Sequence, residues 1–170
     1  MSDKKSEFLQ DYPLTLKQGV LWGDMDAFQH VNNTVYFRFF EDARIAYFEK
    51  TGVMAHMDKT NIGPILAETQ CQFRAPVAYP DNIIIGTRLK ELPNKGDKRF
   101  IMEYAVFSEQ HNTIAAKGTG SIVYYDYKNG KSCEVPENLI TALSSCKIII
   151  NIKSRRGLHS YEGNLCTIQP

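Results

Sequence analysis

Between Asn33 and Thr51 the residues Val35, Tyr36, Phe39, Phe40, Ala43, Ala46 and Tyr47 recur at intervals of three and four. That spacing marks one face of an α-helix. Phe37, Ile45 and Phe48 widen the face until much of the helix girth is apolar. Such a helix needs neighbours on several sides to keep water from it, and a sheet wrapped around one long helix supplies them. Gly52 is a suitable stop, because glycine takes at little cost the left-handed conformation that ends many helices.

The rest of the chain offers the strands. Pro13 to Trp22 alternates in part and reads as a first strand. Ile65 to Phe73, Asn82 to Leu92, Phe100 to Ser108 and Thr113 to Asp126 are rich in β-branched and aromatic residues. Pro93 to Asp97 and Glu109 to Asn112 read as hairpin loops, Tyr127 to Lys131 as a further turn, and Pro136 to Leu143 as a short closing helix. The expectation is an α+β fold in three parts: an N-terminal extension over 1–12, one domain over 13–145 and a C-terminal extension over 146–170. Within the last part Cys146 to Ile152 suits an added strand, and Lys153 to Pro170 lacks periodicity.

At 170 residues and 43% hydrophobic content the chain can bury a core as one domain. A net charge of +1 gives no global field toward nucleic acid or an anionic membrane. The four cysteines lack metal-ligand spacing and a disulfide framework, which fits reduced thiols. Met1 to Lys5 is polar, and no apolar run reaches the ~20 residues that span a bilayer. A soluble, cytoplasmic protein is expected, with organellar targeting left open.

Directly before the apolar helix the chain gathers acids, an imidazole and amides: Asp24, Asp26, His30, Asn32 and Asn33. A carboxylate there can act as base or nucleophile, an imidazole four residues on can orient or relay, and a helix start offers unpaired N–H groups to developing negative charge. Each residue also has a plainer reading. The acids can be solvated loop residues, His30 a packed structural histidine, and Asn32 or Asn33 an N-cap.

The stretch Asp26, His30, Val31, Asn32, Asn33, Tyr36, Glu41 and Arg44 resembles the signature of the hotdog-fold thioesterases, the 4-hydroxybenzoyl-CoA and acyl-CoA thioesterase group. The resemblance implies an antiparallel sheet wrapped around a long central helix. It also implies hydrolysis of an acyl or aryl thioester of coenzyme A, with Asp26 as general base or nucleophile. His30 and Asn33 would position water or substrate. Gly63 would offer its backbone N–H to the carbonyl, unless it is an ordinary turn glycine. No metal or cofactor is implied, since coenzyme A is part of the substrate. Family members pair their sheets edge to edge and build sites between subunits, so a homodimer or homotetramer is expected.

For binding, Tyr36 and Phe40 belong to an aromatic wall suited to the acyl group, although Tyr36 reads somewhat more readily as core. Glu68 lies on the following strand. Arg74, Lys98 and Arg99 can neutralise phosphates, although charged hairpins are more often solvated surface. Glu41 and Arg44, spaced i, i+3, read as a helix ion pair. Two departures disfavour a carrier-protein substrate: Phe28 stands where acyl-carrier-protein thioesterases have Asn, and Phe73-Arg74-Ala75 runs into Pro76-Val77 where they have a Glu-Cys pair. A noncatalytic acyl-binding or scaffold protein is the main rival reading, and a dehydratase ranks below it because the hydratase motif is not visible.

Overall fold

The computed structural model describes residues 3–144 and 151–153. Its centre is α2, Asn33–Lys50, which follows a first helix α1, Lys4–Asp11, and a first strand β1, Leu14–Gly19. Asn32 caps α2, its side-chain oxygen accepting the Thr34 N–H at 2.9 Å. At the other end the Thr51 hydroxyl donates to the Tyr47 carbonyl at 2.9 Å, and Gly52 turns the chain at φ 75°. The stop expected at Gly52 is therefore present. It leads at once into an unanticipated helix α3, Val53–Thr60, so the next strand β2 begins early, at Ile62–Phe73.

β3 is Asn82–Leu89, β4 Arg99–Ser108 and β5 Thr113–Asp126. The two-residue β6, Lys131–Ser132, pairs with the end of β5, α4 is Glu137–Ser144, and β7, Asn151–Lys153, runs parallel to β1. The strand order is β2-β5-β4-β3-β1-β7, with every pairing antiparallel except β1 to β7. Residues 145–150 and 154–170, most of the segment read as an added strand and tail, lie outside the described residues. The first strand is shorter than Pro13 to Trp22 suggested. The Val20 N–H leaves for the Asp81 carbonyl, and a 3₁₀ turn at Trp22–Asp24 follows, with the Asp24 carboxylate accepting the Leu21 N–H at 3.0 Å.

One face of the sheet curls around α2. Tyr36, Phe39, Phe40, Tyr47 and Phe48 are buried against Leu16, Ile83, Ile85, Met102, Tyr104 and Ile122, and each large side chain contributes roughly 1.5–3 kcal/mol by leaving water. Close approach is possible because β5 carries glycine at 118, where a Cβ would lie 2.4 Å from the Phe40 ring. On the opposite face Phe8 and Tyr12 cover Ile84, Ala105 and Phe107. The segment read as an extension thus seals the back of the sheet, and Glu109 ties it down by accepting from Lys5 and Lys17. No helix among the described residues is long and apolar enough to cross a membrane.

Candidate active site

The acidic loop folds as a miniature hairpin. Met25 and Val31 form an antiparallel bridge, the Asp26 N–H donates to the His30 carbonyl at 2.9 Å, and the Gln29 N–H donates to the Asp26 carbonyl at 3.0 Å. Gln29 closes the turn at φ 63°, a conformation that costs a non-glycine residue roughly 1–2 kcal/mol. The hairpin is pinned on both sides, by the Val31 N–H to the Val77 carbonyl at 2.7 Å and by the Asn32 N–H to the Asp24 carbonyl at 2.9 Å.

This frame fixes the Asp26 carboxylate while leaving it partly open. One oxygen accepts the Phe28 N–H at 2.8 Å, and the other lies 3.4 Å from the Asn32 side-chain amide. Asp24 has a different post: it is buried, and its carboxylate holds the 3₁₀ turn by way of Leu21. At the start of α2 the Thr34 and Val35 N–H groups are both taken by Asn32. The Asn33 N–H has no partner among the described hydrogen bonds. It is the first N–H of a long helix, where the backbone dipoles leave partial positive charge.

Asp26, His30, Asn33, Tyr36 and Arg74 line one cleft of about 430 Å³, together with Phe28, Val31, Phe73, Ala75, Pro76 and Val77. The 74–77 segment is brought there by the Arg74 and Ala75 N–H groups, which donate to the Ala115 carbonyl at 2.8 and 3.1 Å. Tyr36 meets Phe73 edge to face at 5.0 Å and Phe39 at 5.7 Å. Burial, aided by Cys71 and Asp81 nearby, pushes the Tyr36 hydroxyl up to about 12. It therefore stays protonated through the neutral range. Burial likewise pushes the Cys71 thiol up to about 11.

The remaining expected residues stand elsewhere in the chain. Phe40 does not border the cleft: it is fully buried and stacks on Tyr104 at 4.9 Å, because its helix position faces the middle of the sheet. Gly63 is the second residue of β2 and Phe73 the last, a separation of roughly 30 Å along an extended strand. Glu68 shares the outer face with Gln70, whose amide donates to it at 2.6 Å. Lys98 and Arg99 sit at the Gly63 end of the sheet, Arg99 pairing with Val123 and Gly63 with Tyr125. Glu41 and Arg44 form no ion pair among the described contacts; Arg44 turns inward and donates to the Tyr104 hydroxyl at 3.4 Å. Of the cleft residues given no role from sequence, Phe28 and Val31 belong to the loop hairpin itself, whereas Phe73 and Ala75 to Val77 reach the cleft by long-range pairing. Val31 stood in the motif, and the prior signal for Phe28 and the 73–77 segment was their departure from it.

A curled antiparallel sheet around a buried helix, with a carboxylate loop at the helix start, defines the hotdog class of thioesterase. A family model described as the thioesterase-like superfamily matches residues 20–143, and the chain belongs to that superfamily. Long-chain acyl-CoA thioesterase FadM of Escherichia coli (strain K12) is 27% identical over 108 residues, 64% of this chain and 80% of that protein. A protein of Aquifex aeolicus (strain VF5) is 26% identical over 132 residues, 77% of this chain and 98% of that one. Among solved structures, a gentisyl-coenzyme A thioesterase superposes with a TM-score of 0.65 at 25% identity, covering 76% of this chain and 98% of the other.

Proposed function

We propose that the chain hydrolyses acyl-CoA to the free acid and coenzyme A, with Asp26 as general base or nucleophile. The observation that carries this reading is the position of the Asp26 carboxylate, held in a cleft that is also lined by Asn33, whose N–H at the start of α2 has no partner among the described hydrogen bonds. As base, the carboxylate takes a proton from water while the water oxygen attacks the thioester carbonyl. As nucleophile, it attacks the carbonyl itself, and water then cleaves the mixed anhydride. On either route the carbon–sulfur bond breaks and sulfur leaves with coenzyme A. The oxygen that gains negative charge is stabilised by the Asn33 N–H and the helix dipole. His30 at the rim positions water or substrate, and Arg74 offers a fork of donors to phosphate. No separate cofactor is required.

The reading includes a homodimer, alone or doubled into a tetramer. β2 pairs with β5 on one side and with no strand on the other among the described residues, and it exposes Ile65, Leu66 and Phe73. A free edge of that length invites pairing, and a two-fold axis makes the pairing antiparallel. The partner subunit's Gly63 then lies toward this chain's Phe73, and the partner subunit's Lys98 and Arg99 approach this chain's cleft from the same end of the sheet. Binding residues scattered within one chain are thereby gathered between two.

Free-thiol release from a panel of acyl-CoA thioesters, run beside sedimentation velocity, tests both parts. Turnover of at least one thioester by a dimer or tetramer is expected. A correctly folded protein that releases no thiol from any member rejects the activity, and a fully active monomer rejects the composite site.

A further inference from the structure

We propose that β7 is an edge guard: by pairing with β1 it covers the second edge of the sheet, which would otherwise dock a second copy of this chain, and so keeps the assembly finite. The inference rests in part on the β2 pairing proposed above. It goes beyond that pairing by accounting for the opposite edge, which does not join in the same way.

The described strands form an open sheet with β2 at one end and β1 followed by β7 at the other. On one side β1 pairs with β3 along its whole length, from Leu14 with Thr87 to Gly19 with Asn82. On the other side the only strand paired with it among the described residues is β7, through Thr15 with Asn151, Leu16 with Ile152 and Lys17 with Lys153. Every second residue of a strand turns its N–H and C=O away from a given neighbour. A sheet that ended at β1 would therefore present a row of unpaired groups six residues long, a template for another chain.

Edges are blunted by a proline, a bulge, a charge that projects past the strand, or a very short outer strand. β1 carries no proline, and its register with β3 runs without a break. Its one charged residue, Lys17, is committed to Glu109, which lies 2.7 Å from its ammonium and also accepts from Lys5. Helix α1 does not cover the edge either, since Phe8 and Tyr12 lie on the face of the sheet over Ile84, Ala105 and Phe107. The device that remains is the short strand: β7 covers the middle of β1 and offers an outer edge of three residues in place of six. The need for it follows from symmetry. A copy joined β1 to β1 would add to the sheet about a two-fold axis, as β2 joins β2, and pairing at both ends extends the sheet copy by copy, each addition leaving another edge to pair.

The test is sedimentation velocity over a concentration series on the full chain and on a double variant, Asn151→Pro with Ile152→Pro. Successive residues of a strand turn their N–H groups to opposite sides, so one of the two prolines removes the N–H that faces β1. Wild type should level off at one size. The variant, its melting temperature confirming that it folds, should form species larger by about twofold or more that grow with concentration. A folded variant of wild-type size overturns the guard, and so does a wild type that itself grows without limit. If wild type is a monomer, the β2 pairing fails alone, and the guard then requires the folded variant to dimerise through β1; a monomeric variant overturns it. NMR-detected hydrogen exchange on the wild-type chain reads the same contact without a variant. At least one amide of Thr15 to Lys17 that faces away from β3 should exchange slowly, and fast exchange of all of them overturns the guard.

Discussion

Asp24 and Asp26 stand two residues apart in one loop, and their surroundings predict opposite consequences for the same change to Asn. At Asp26 the hydrogen bond from Phe28 survives, because the Asn side-chain oxygen accepts it equally well. The contact from Asn32 is lost, but at 3.4 Å it is near the limit of a hydrogen bond. Stability should change by less than about 1 kcal/mol. Turnover should fall by roughly 10²-fold, about 2.7 kcal/mol of barrier, because the neutral amide can neither take a proton from water nor attack a carbonyl. At Asp24 the carboxylate is buried and accepts from Leu21. Replacing a charged acceptor there, and burying an amide in its place, costs about 1–2 kcal/mol, or roughly 2–8 °C of melting temperature for a chain of this size. Its effect on kcat at a temperature where the protein is folded should stay within a few-fold. The assay is kcat with a reactive acyl-CoA for each purified variant, paired with thermal melts. Near-wild-type turnover by Asp26→Asn refutes the assignment of the catalytic acid. So does an Asp24→Asn protein that melts like wild type yet has lost activity.

Three further outcomes follow from packing and ionisation. Gly118→Ala should cost about 1–3 kcal/mol, because its Cβ would lie 2.4 Å from Phe40 and 2.5 Å from the Gln70 backbone oxygen; an unchanged urea midpoint would contradict the close approach. Burial acts to raise the Glu109 pKa, but hydrogen bonds from Lys17 and Lys5 outweigh it and hold the carboxyl below its ordinary 4.5. Its contribution is therefore full above pH 4.5 and fades as pH falls through the lower folded value. Glu109→Gln should accordingly destabilise by about 1 kcal/mol or less at neutral pH and converge with wild type in acid, as followed by denaturant melts across pH. The Cys71 thiol, pushed up to about 11 by burial, should be alkylated slowly at pH 8 and faster as pH rises toward that value, since the thiolate is the reactive form; peptide mass spectrometry of iodoacetamide-treated protein reads this directly.

The helix and most strands were legible because their signals are local. The three-and-four spacing from Val35 to Tyr47 places α2 whatever surrounds it, and Thr113 to Asp126 reads as a strand from its β-branched and aromatic residues alone. The helices at Lys4–Asp11 and Val53–Thr60 are short, with less repeated apolar spacing, and neither stood out. Both are stabilised largely by what they cover. Phe8 and Tyr12 find Ile84, Ala105 and Phe107, and Met57 packs over Gly63. The loop from Asp26 to Asn33 was readable as a candidate site because its chemistry is concentrated within a few residues.

What the sequence determined by itself was the central helix, the supply of strands and the residue chemistry available at the helix start, all carried by neighbours a few positions apart. Only the tertiary structure decided which distant side chains join that chemistry. The register of β2 against β5 sets Phe73 beside Tyr36 and sends Gly63 to the far end of the strand. The Ala115 carbonyl draws Arg74 and Ala75 to the cleft, and the stack on Tyr104 removes Phe40 from it. The physical reason is range. A helix or strand pattern repeats within two to four residues and survives in any context. A cleft wall is made by pairings between segments dozens of residues apart, which exist only once the sheet has closed around its helix.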